Sequence, residues 1–161
     1  MLRSLLIQVT VFFFIFHAIS MLRETSMLSS STAVVPAQHQ LPTLTNNEIS
    51  LHANGKKTIV YFFAPWCQVC HLSIGNLQNL YQKNPDLNVI AVALDFVDID
   101  EVKDFTNRHQ LSFPVALGNE SVKADFQVQG YPSYYVLDEE NSIIGRSLGY
   151  SSEIGLYLRS F

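Results

Sequence analysis

The stretch Phe62–Ser73, FFAPWCQVCHLS, contains the chain's only two cysteines, Cys67 and Cys70, spaced as C-x-x-C and followed by His71. Three chemistries use such a pair. Haem c attaches to C-x-x-C-H, structural zinc takes four ligands that normally come from two such pairs, and a redox dithiol alternates between two thiols and a disulfide. The residues around the motif distinguish these chemistries.

The motif is predicted to join a buried strand to a helix. Lys56–Ala64, KKTIVYFFA, is β-branched and aromatic, which is typical of a strand buried on both faces. After it, Cys70, Ile74, Leu77 and Tyr81 recur at spacings of four, three and four, as on one face of a helix. The first cysteine then lies at the helix N-terminus, where free N–H groups and the helix dipole stabilise a thiolate. Cys70, one turn on, is placed to resolve a mixed disulfide.

The zinc and haem interpretations lack their other ligands. There is no second cysteine pair, and His39, His52 and His109 have no ligand spacing. A haem usually also needs a distal His or Met in an apolar, mainly helical pocket, and all three methionines precede residue 28. We therefore interpret the pair as a redox dithiol and expect no cofactor and no bound metal.

The later segments predict an alternation of strands and helices. The first is a buried strand (Leu87–Asp95), followed by a helix capped by Asp98 or Asp100 (Ile99–His109) and a short helix (Glu120–Phe126). A hairpin turning at Glu139–Asn141 comes next (Pro132–Tyr150). The last helix (Ile154–Phe161) has an apolar face made of Ile154, Tyr157, Leu158 and Phe161. Helices between buried strands imply parallel pairing, whereas the hairpin is antiparallel. The pattern predicts an α/β domain of three layers around a mixed central sheet.

The N-terminal segment predicts export. Leu5–Ile19 contains no charged residue, so residues 1–22 are expected to form a transmembrane signal anchor, or a signal peptide cleaved after Ser20. A buried core helix is the remaining alternative. Residues 23–40 are rich in Ser and Thr and predict a linker, which leaves residues 41–161 as the globular domain. Anchored or cleaved, that domain is expected outside the cytoplasm.

The charge of the chain argues against nucleic acid as a partner. Net charge is −4, and the ten Lys and Arg residues are scattered. Neutralising phosphates requires a concentrated basic face, which this distribution does not predict.

Two segments carry a resemblance to a known family. FFAPWCQVCHLSIGNL resembles the strand–W-C-x-x-C–helix of the thioredoxin superfamily, and VQGYPSYYVLD is similar to its cis-proline segment. The leading apolar segment, NGKKTIVYFFA and the later FPV resemble the membrane-anchored periplasmic TlpA-like branch. The resemblance implies a thioredoxin-like domain that is anchored in the inner membrane and faces the periplasm, or is soluble there once cleaved. It also implies a thiol:disulfide oxidoreductase, acting as a reductase, which takes electrons from a membrane donor and passes them to substrate proteins.

The resemblance assigns roles to five residues. It implies that Cys67 is the attacking nucleophile and Cys70 the resolving thiol. Trp66 would flank the dithiol and shape the surface that a partner approaches. Pro132 would be the cis-proline, and Tyr131 before it would present backbone groups to a bound peptide.

The sequence departs from the family where acids and a proline are expected. Tyr61 stands where thioredoxins have a buried Asp, and Ser73 and Gly75 stand where the branch often has Glu and Pro. Asp95 is therefore a candidate proton acceptor for the resolving thiol. His71 could stabilise a nearby thiolate, although we expect it to face solvent.

Two alternative functions remain open. The same dithiol could act as an oxidase or isomerase, because the residues between the cysteines do not determine the direction of electron flow. The two thiolates could also bind Cu(I) in a metallochaperone.

Overall fold

The computed structural model describes residues 6–15, 18, 27–29 and 39–161. Residues 6–15 are helical (α1). The elements that follow are β1 (Gln40–Pro42), β2 (Glu48–Ser50), β3 (Thr58–Phe63), α2 (Gln68–Lys83), β4 (Asn88–Ala93), α3 (Ile99–Arg108), β5 (Val115–Leu117), α4 (Glu120–Asp125), β6 (Ser133–Leu137), β7 (Ile143–Leu148) and α5 (Glu153–Ser160).

The central sheet is mixed, as the sequence predicts. Its strand order is β5-β4-β3-β6-β7, with β3 parallel to β4, β4 parallel to β5, and the β6–β7 hairpin antiparallel on the other side. Every residue of β3 is buried. Alternate side chains of β3 enter two separate cores, with Tyr61 and Phe63 on the α2 and α3 side and Phe62 on the α4 side. The expected three-layer arrangement is confirmed.

Two features of the sheet were not predicted. β5 has three residues and pairs with the edge of β4, and a separate two-stranded hairpin, β1–β2, precedes the main sheet. Strands this short give too few alternating positions for a sequence pattern to detect. The predicted cap of α3 is Asp98, whose carboxylate accepts a hydrogen bond from the Asp100 backbone N–H at 3.0 Å.

The last helix forms where it was predicted, but its buried face is different. The expected apolar face is exposed to solvent by between 47% and 73% (Ile154, Tyr157, Leu158 and Phe161), whereas Leu156 and Ser160 are fully buried. α5 approaches β7 closely at Gly145, where an added Cβ would lie 3.0 Å from the Arg159 carbonyl oxygen. This contact makes the Leu156–Ser160 line the packed one, and the predicted face was wrong.

The N-terminal predictions fall largely outside the described residues. Of the predicted anchor, residues 1–5, 16, 17 and 19–22 lie outside them, and among the residues described no helix is long and apolar enough to cross a membrane. Met27, in the predicted linker, is 6% exposed and belongs to the core on the α4 side. The Arg146 guanidinium donates hydrogen bonds to the carbonyl oxygens of Met27 and Leu28. This short segment therefore packs on the domain.

Candidate active site

The dithiol lies at the N-terminus of α2, directly after the central strand β3. Cys67 is the N-cap residue, and its Sγ accepts a hydrogen bond from the Cys70 backbone N–H at 3.1 Å. The two cysteines form a disulfide, with their Cα atoms 5.2 Å apart. Cys67 is 6% exposed and Cys70 is fully buried, so only the first sulfur is open to a partner. The first turn of α2 contains no acidic residue, so nothing there opposes the helix dipole in stabilising a Cys67 thiolate.

Trp66 and the Tyr131–Pro132 segment lie beside the dithiol. The Tyr131–Pro132 peptide bond is cis, as the resemblance implies. The Trp66 ring is 60% exposed and meets the Tyr131 ring edge-on, with centroids 5.8 Å apart. The indole N–H donates to the Asp95 carbonyl oxygen at 2.8 Å. These contacts join the loop before the dithiol to the cis-proline segment.

An uncharged groove of about 500 Å³ runs beside this segment. Its lining comes from α2, the loop before β6 and the loop after β7 (Val69, Gln129, Gly130, Tyr131, Leu148, Gly149 and Tyr150). Another cavity, of about 590 Å³, is lined by residues at the starts of β3 and β4, including Ala53 and Asn88, and so lies at the other end of the sheet from the dithiol. The groove at Tyr131 lies at the dithiol end of the sheet, as does a smaller cavity of about 250 Å³ lined in part by Pro65, Trp66 and His71.

Asp95 holds the Tyr131 side chain in place. Its carboxylate accepts hydrogen bonds from the Tyr131 hydroxyl at 2.9 Å and from the Lys123 ammonium at 2.7 and 2.8 Å. Burial alone would raise the pKa of Asp95, but these bonds and the Lys123 charge outweigh it and hold the pKa below its usual value. The Asp95 carboxylate thus links the cis-proline segment to α4. Its predicted role as proton acceptor for Cys70 stays a prediction.

His71 is half-buried, whereas we expected it to face solvent. Its Nε2 lies 3.0 Å from the Pro65 carbonyl oxygen and its Nδ1 lies 2.7 Å from Nε2 of His109. The ring also packs on Phe105, with centroids 4.6 Å apart. His109 was not identified as a site residue from the sequence. Its place in the apolar periodicity of α3 was the signal that it points inward.

Hydroxyl groups occupy two positions where the family that the sequence resembles carries acidic side chains. Tyr61 and Ser73 are both fully buried on the Cys70 side of the sheet. Tyr61 is paired across β3 and β6 with Tyr134, and neither phenol has a hydrogen-bond partner among the residues that the structure describes. Burial raises the pKa of Tyr61 far above its usual value. The nearby Ser73 hydroxyl, which is too poorly placed for a regular hydrogen bond, lowers the pKa by less, so the phenol is neutral. The two positions therefore supply no carboxylate to Cys70.

The part of the chain that the structure describes has no group of three or more His, Cys, Asp or Glu arranged to hold a metal ion. The two cysteine sulfurs are instead bonded to each other. A pair of sulfurs that can form a disulfide is what thiol–disulfide exchange requires.

Comparisons with known proteins agree with this geometry. The profile of the AhpC/TSA family matches residues 35–146. Thioredoxin-like protein YneN of Bacillus subtilis is 32% identical over 108 residues, which cover 64% of this chain and 63% of that protein. Sporulation thiol-disulfide oxidoreductase A of the same organism is 23% identical over 145 residues, covering 87% of this chain and 88% of that protein. The chain thus spans less than two thirds of the length of YneN.

The structural comparison supports the fold. The crystal structure of StoA from Bacillus subtilis superposes with a TM-score of 0.70 at 23% identity, over 80% of this chain and 99% of that chain. At this identity the similarity establishes the architecture. The resemblance to the thioredoxin superfamily is confirmed.

Proposed function

Because this chain belongs to the AhpC/TSA family, we propose that it is a thiol:disulfide oxidoreductase that exchanges disulfides with partner proteins through Cys67 and Cys70. The observation that carries the proposal is the pair of cysteines at the N-terminus of α2, one reachable and one buried. Sporulation thiol-disulfide oxidoreductase A, which matches most of this chain, is named for the same activity.

The reaction uses the two sulfurs in turn. In the reduced protein the Cys67 thiolate attacks one sulfur of a substrate disulfide, whose S–S bond breaks and releases one substrate thiolate. Cys70 then loses its proton and attacks the Cys67 sulfur, which releases the second substrate thiolate. Two electrons pass to the substrate, and the Cys67–Cys70 disulfide of this structure is the oxidised product. A dithiol donor is needed to reduce it again, and we propose that this donor is a membrane protein.

The groove at Tyr131 is the proposed site for the substrate backbone. The cis-proline segment directly precedes β6 at the dithiol end of the sheet, and we propose that an extended peptide pairs with its backbone beside the groove. Because the lining carries no charged side chain, we expect uncharged residues next to the reactive cysteine of the substrate.

We propose that the domain acts outside the cytoplasm as a reductase. The support is the uncharged segment Leu5–Ile19 and the membrane-anchored branch that the sequence resembles. Fusing alkaline phosphatase after Phe161 tests the location, since that enzyme is active only after export. The midpoint potential of the dithiol against glutathione tests the direction, and a strongly oxidising value would favour the oxidase or isomerase alternative.

Trapping tests the exchange itself. Cys70→Ser removes the thiol that resolves the mixed disulfide, so Cys67 should stay covalently linked to its partners. Those adducts should disappear on treatment with dithiothreitol. Cys67→Ser is the matched control and should capture nothing. If Cys70→Ser captures no protein, and the wild-type protein fails to reduce insulin, protein thiol exchange is not its function. Stoichiometric Cu(I) binding in that case would favour the metallochaperone alternative.

A further inference from the structure

Two histidines that are 38 residues apart in sequence meet beside the dithiol. Nδ1 of His71 lies 2.7 Å from Nε2 of His109. His71 is one helical turn after Cys67, and its backbone N–H donates to the Cys67 carbonyl oxygen at 3.2 Å. The His71 ring also contacts the loop before the helix, since its Nε2 lies 3.0 Å from the Pro65 carbonyl oxygen. The ring therefore lies against the Pro65–Cys67 segment that carries the nucleophile.

The contacts of the two rings fix where their protons are. The Pro65 carbonyl oxygen, 3.0 Å from Nε2 of His71, can only accept, so that nitrogen carries a hydrogen. When both rings are neutral, Nδ1 of His71 accepts a hydrogen bond from Nε2 of His109. When one proton is added, it enters at Nδ1 of His109, and the hydrogen between the rings can then lie on either Nδ1 of His71 or Nε2 of His109. A second added proton would leave two donors facing each other at 2.7 Å, so the pair holds one extra proton and excludes another.

The surroundings favour a single positive charge on the pair. Both rings pack on Phe105, with centroid distances of 4.6 and 4.8 Å, and an aromatic face attracts a cation. His109 caps the C-terminus of α3, the negative end of that helix dipole. Burial lowers the pKa of His109, and His71 and Arg108 lower it further, so the interactions with Phe105 and with the helix dipole act against these effects.

Charged side chains near the pair come from α3. Glu101, Asp104 and Arg108 line a cavity of about 250 Å³ together with Trp66 and His71. The Glu101 carboxylate accepts a hydrogen bond from the Val97 backbone N–H at 3.2 Å. From α2, the positive end of the helix dipole faces this region. Pro65 and Trp66, on the remaining side, are uncharged. Two carboxylates and one guanidinium thus leave this pocket net negative.

We propose that the His71–His109 pair shares one proton and places its positive charge one helical turn from Cys67, where it stabilises the attacking thiolate. Both histidines are positioning residues, because they act through Cys67 and not on the substrate. The inference rests on the proposed thiol exchange and names what sets its pH range. Below the pH at which the pair loses its proton, the pKa of Cys67 is depressed, and above that pH this support is lost. By linkage, a Cys67 thiolate must raise the proton affinity of the pair by the same factor.

An NMR titration of the full-length wild-type protein tests the coupling directly. The histidine Cε1–H signals are followed against pH in the oxidised and reduced forms, and are assigned with single His→Gln variants. An opposite charge within about 4–6 Å shifts a pKa by about one unit or more. We therefore expect the pair to titrate about one pH unit higher in the reduced protein. Equal midpoints in the two forms would overturn the proposal.

A second measurement follows the Cys67 thiol. The rate of alkylation by iodoacetamide against pH reports its pKa, and Cys70→Ser is used as background so that only one thiol reacts. His71→Gln and His109→Gln are then introduced into this background. The glutamine amides can still form hydrogen bonds, but they cannot hold the shared proton. We expect the pKa of Cys67 to rise by about one unit, or about ten-fold less thiolate at a pH below both values. An unchanged pKa would mean that the pair has only a structural role.

The matched control removes two other histidines. His39 bonds to the Asp125 carboxylate and His52 precedes β3, so His39→Gln with His52→Gln should leave the pKa of Cys67 unchanged. An equal shift in this control would also overturn the proposal.

The two proposals fail separately. Absence of insulin reduction and of trapped partners refutes thiol exchange with proteins, whereas normal reduction without any coupling in either titration refutes the histidine pair alone.

Discussion

Replacing Tyr61 with Phe is expected to stabilise the protein. Tyr61 is fully buried in the central strand, and its hydroxyl has no hydrogen-bond partner among the described residues. Phe keeps the ring and its packing and removes only the oxygen. The substitution therefore isolates the cost of one buried polar group at the position where thioredoxins carry an acid.

The size of the effect follows from that missing partner. A buried hydroxyl that loses its hydrogen bonds to water without gaining new ones costs about 1–3 kcal/mol. We expect Tyr61→Phe to raise the free energy of unfolding by about 1 kcal/mol, or roughly 4 °C in melting temperature for a domain of this size. Urea denaturation with an unchanged m-value is the appropriate assay, because only the midpoint should move.

Two neighbouring tyrosines provide matched controls. Tyr134 pairs with Tyr61 across β3 and β6 and also lacks a partner, so Tyr134→Phe should stabilise similarly. The Tyr135 hydroxyl donates to the Phe126 carbonyl oxygen at 2.7 Å and accepts from the Leu28 N–H at 3.3 Å. Tyr135→Phe leaves both groups unpaired and should destabilise by about 1–3 kcal/mol.

A loss of stability in Tyr61→Phe comparable to that in Tyr135→Phe would refute this reasoning. It would mean that the Tyr61 hydroxyl has a partner, such as Ser73 or a buried water. Because burial keeps the phenol protonated, Tyr61→Phe should also reduce insulin at the wild-type rate. A rate more than ten-fold lower would instead make Tyr61 part of the proton path to Cys70.

Three further substitutions test other parts of the structure. Gly118→Ala places a Cβ 2.6 Å from Cδ2 of Leu94 and should cost about 1–3 kcal/mol in urea denaturation. Met27→Ala removes a core side chain and should cost about 2–5 kcal/mol, whereas a freely hanging linker would lose nothing. Asp95→Asn breaks a partly exposed ion pair with Lys123 and should cost at most about 1 kcal/mol at pH 7. Because the pKa of Asp95 is lowered on folding, its contribution begins to fall below about pH 4 and is lost as pH passes through the lowered pKa, so the stability difference between variant and wild type should shrink as pH falls below about 4.

The position of the dithiol could be predicted from the sequence because it depends on local patterns. Ile59–Ala64 is apolar at successive positions, which is typical of a strand covered on both faces, and the periodicity from Cys70 predicts a helix. The structure places β3 and α2 inside or next to these ranges. Cys67 follows as the N-cap residue because it is the last residue before the helix begins.

What could not be predicted depends on contacts between distant segments. The buried face of α5 is determined by the close approach at Gly145, and no periodicity within the helix records it. The contact of His71 with His109 joins α2 to the end of α3. The relative position of these two helices depends on the pairing of β3 with β4. Periodicity predicts which residues point inward, but not which of them meet.

The two proposals place substrate binding and control of the nucleophile's charge in separate parts of the site. The groove at Tyr131 is uncharged, whereas the titrating groups lie in the cavity at His71, on the α3 side. Trp66 contacts both, through its ring at Tyr131 and through the lining of the His71 cavity. A substrate held in the groove would leave the histidine pair open to protons from solvent. The pH dependence of the first attack should therefore be the same for partner proteins of different sequence, while their affinities vary with the groove.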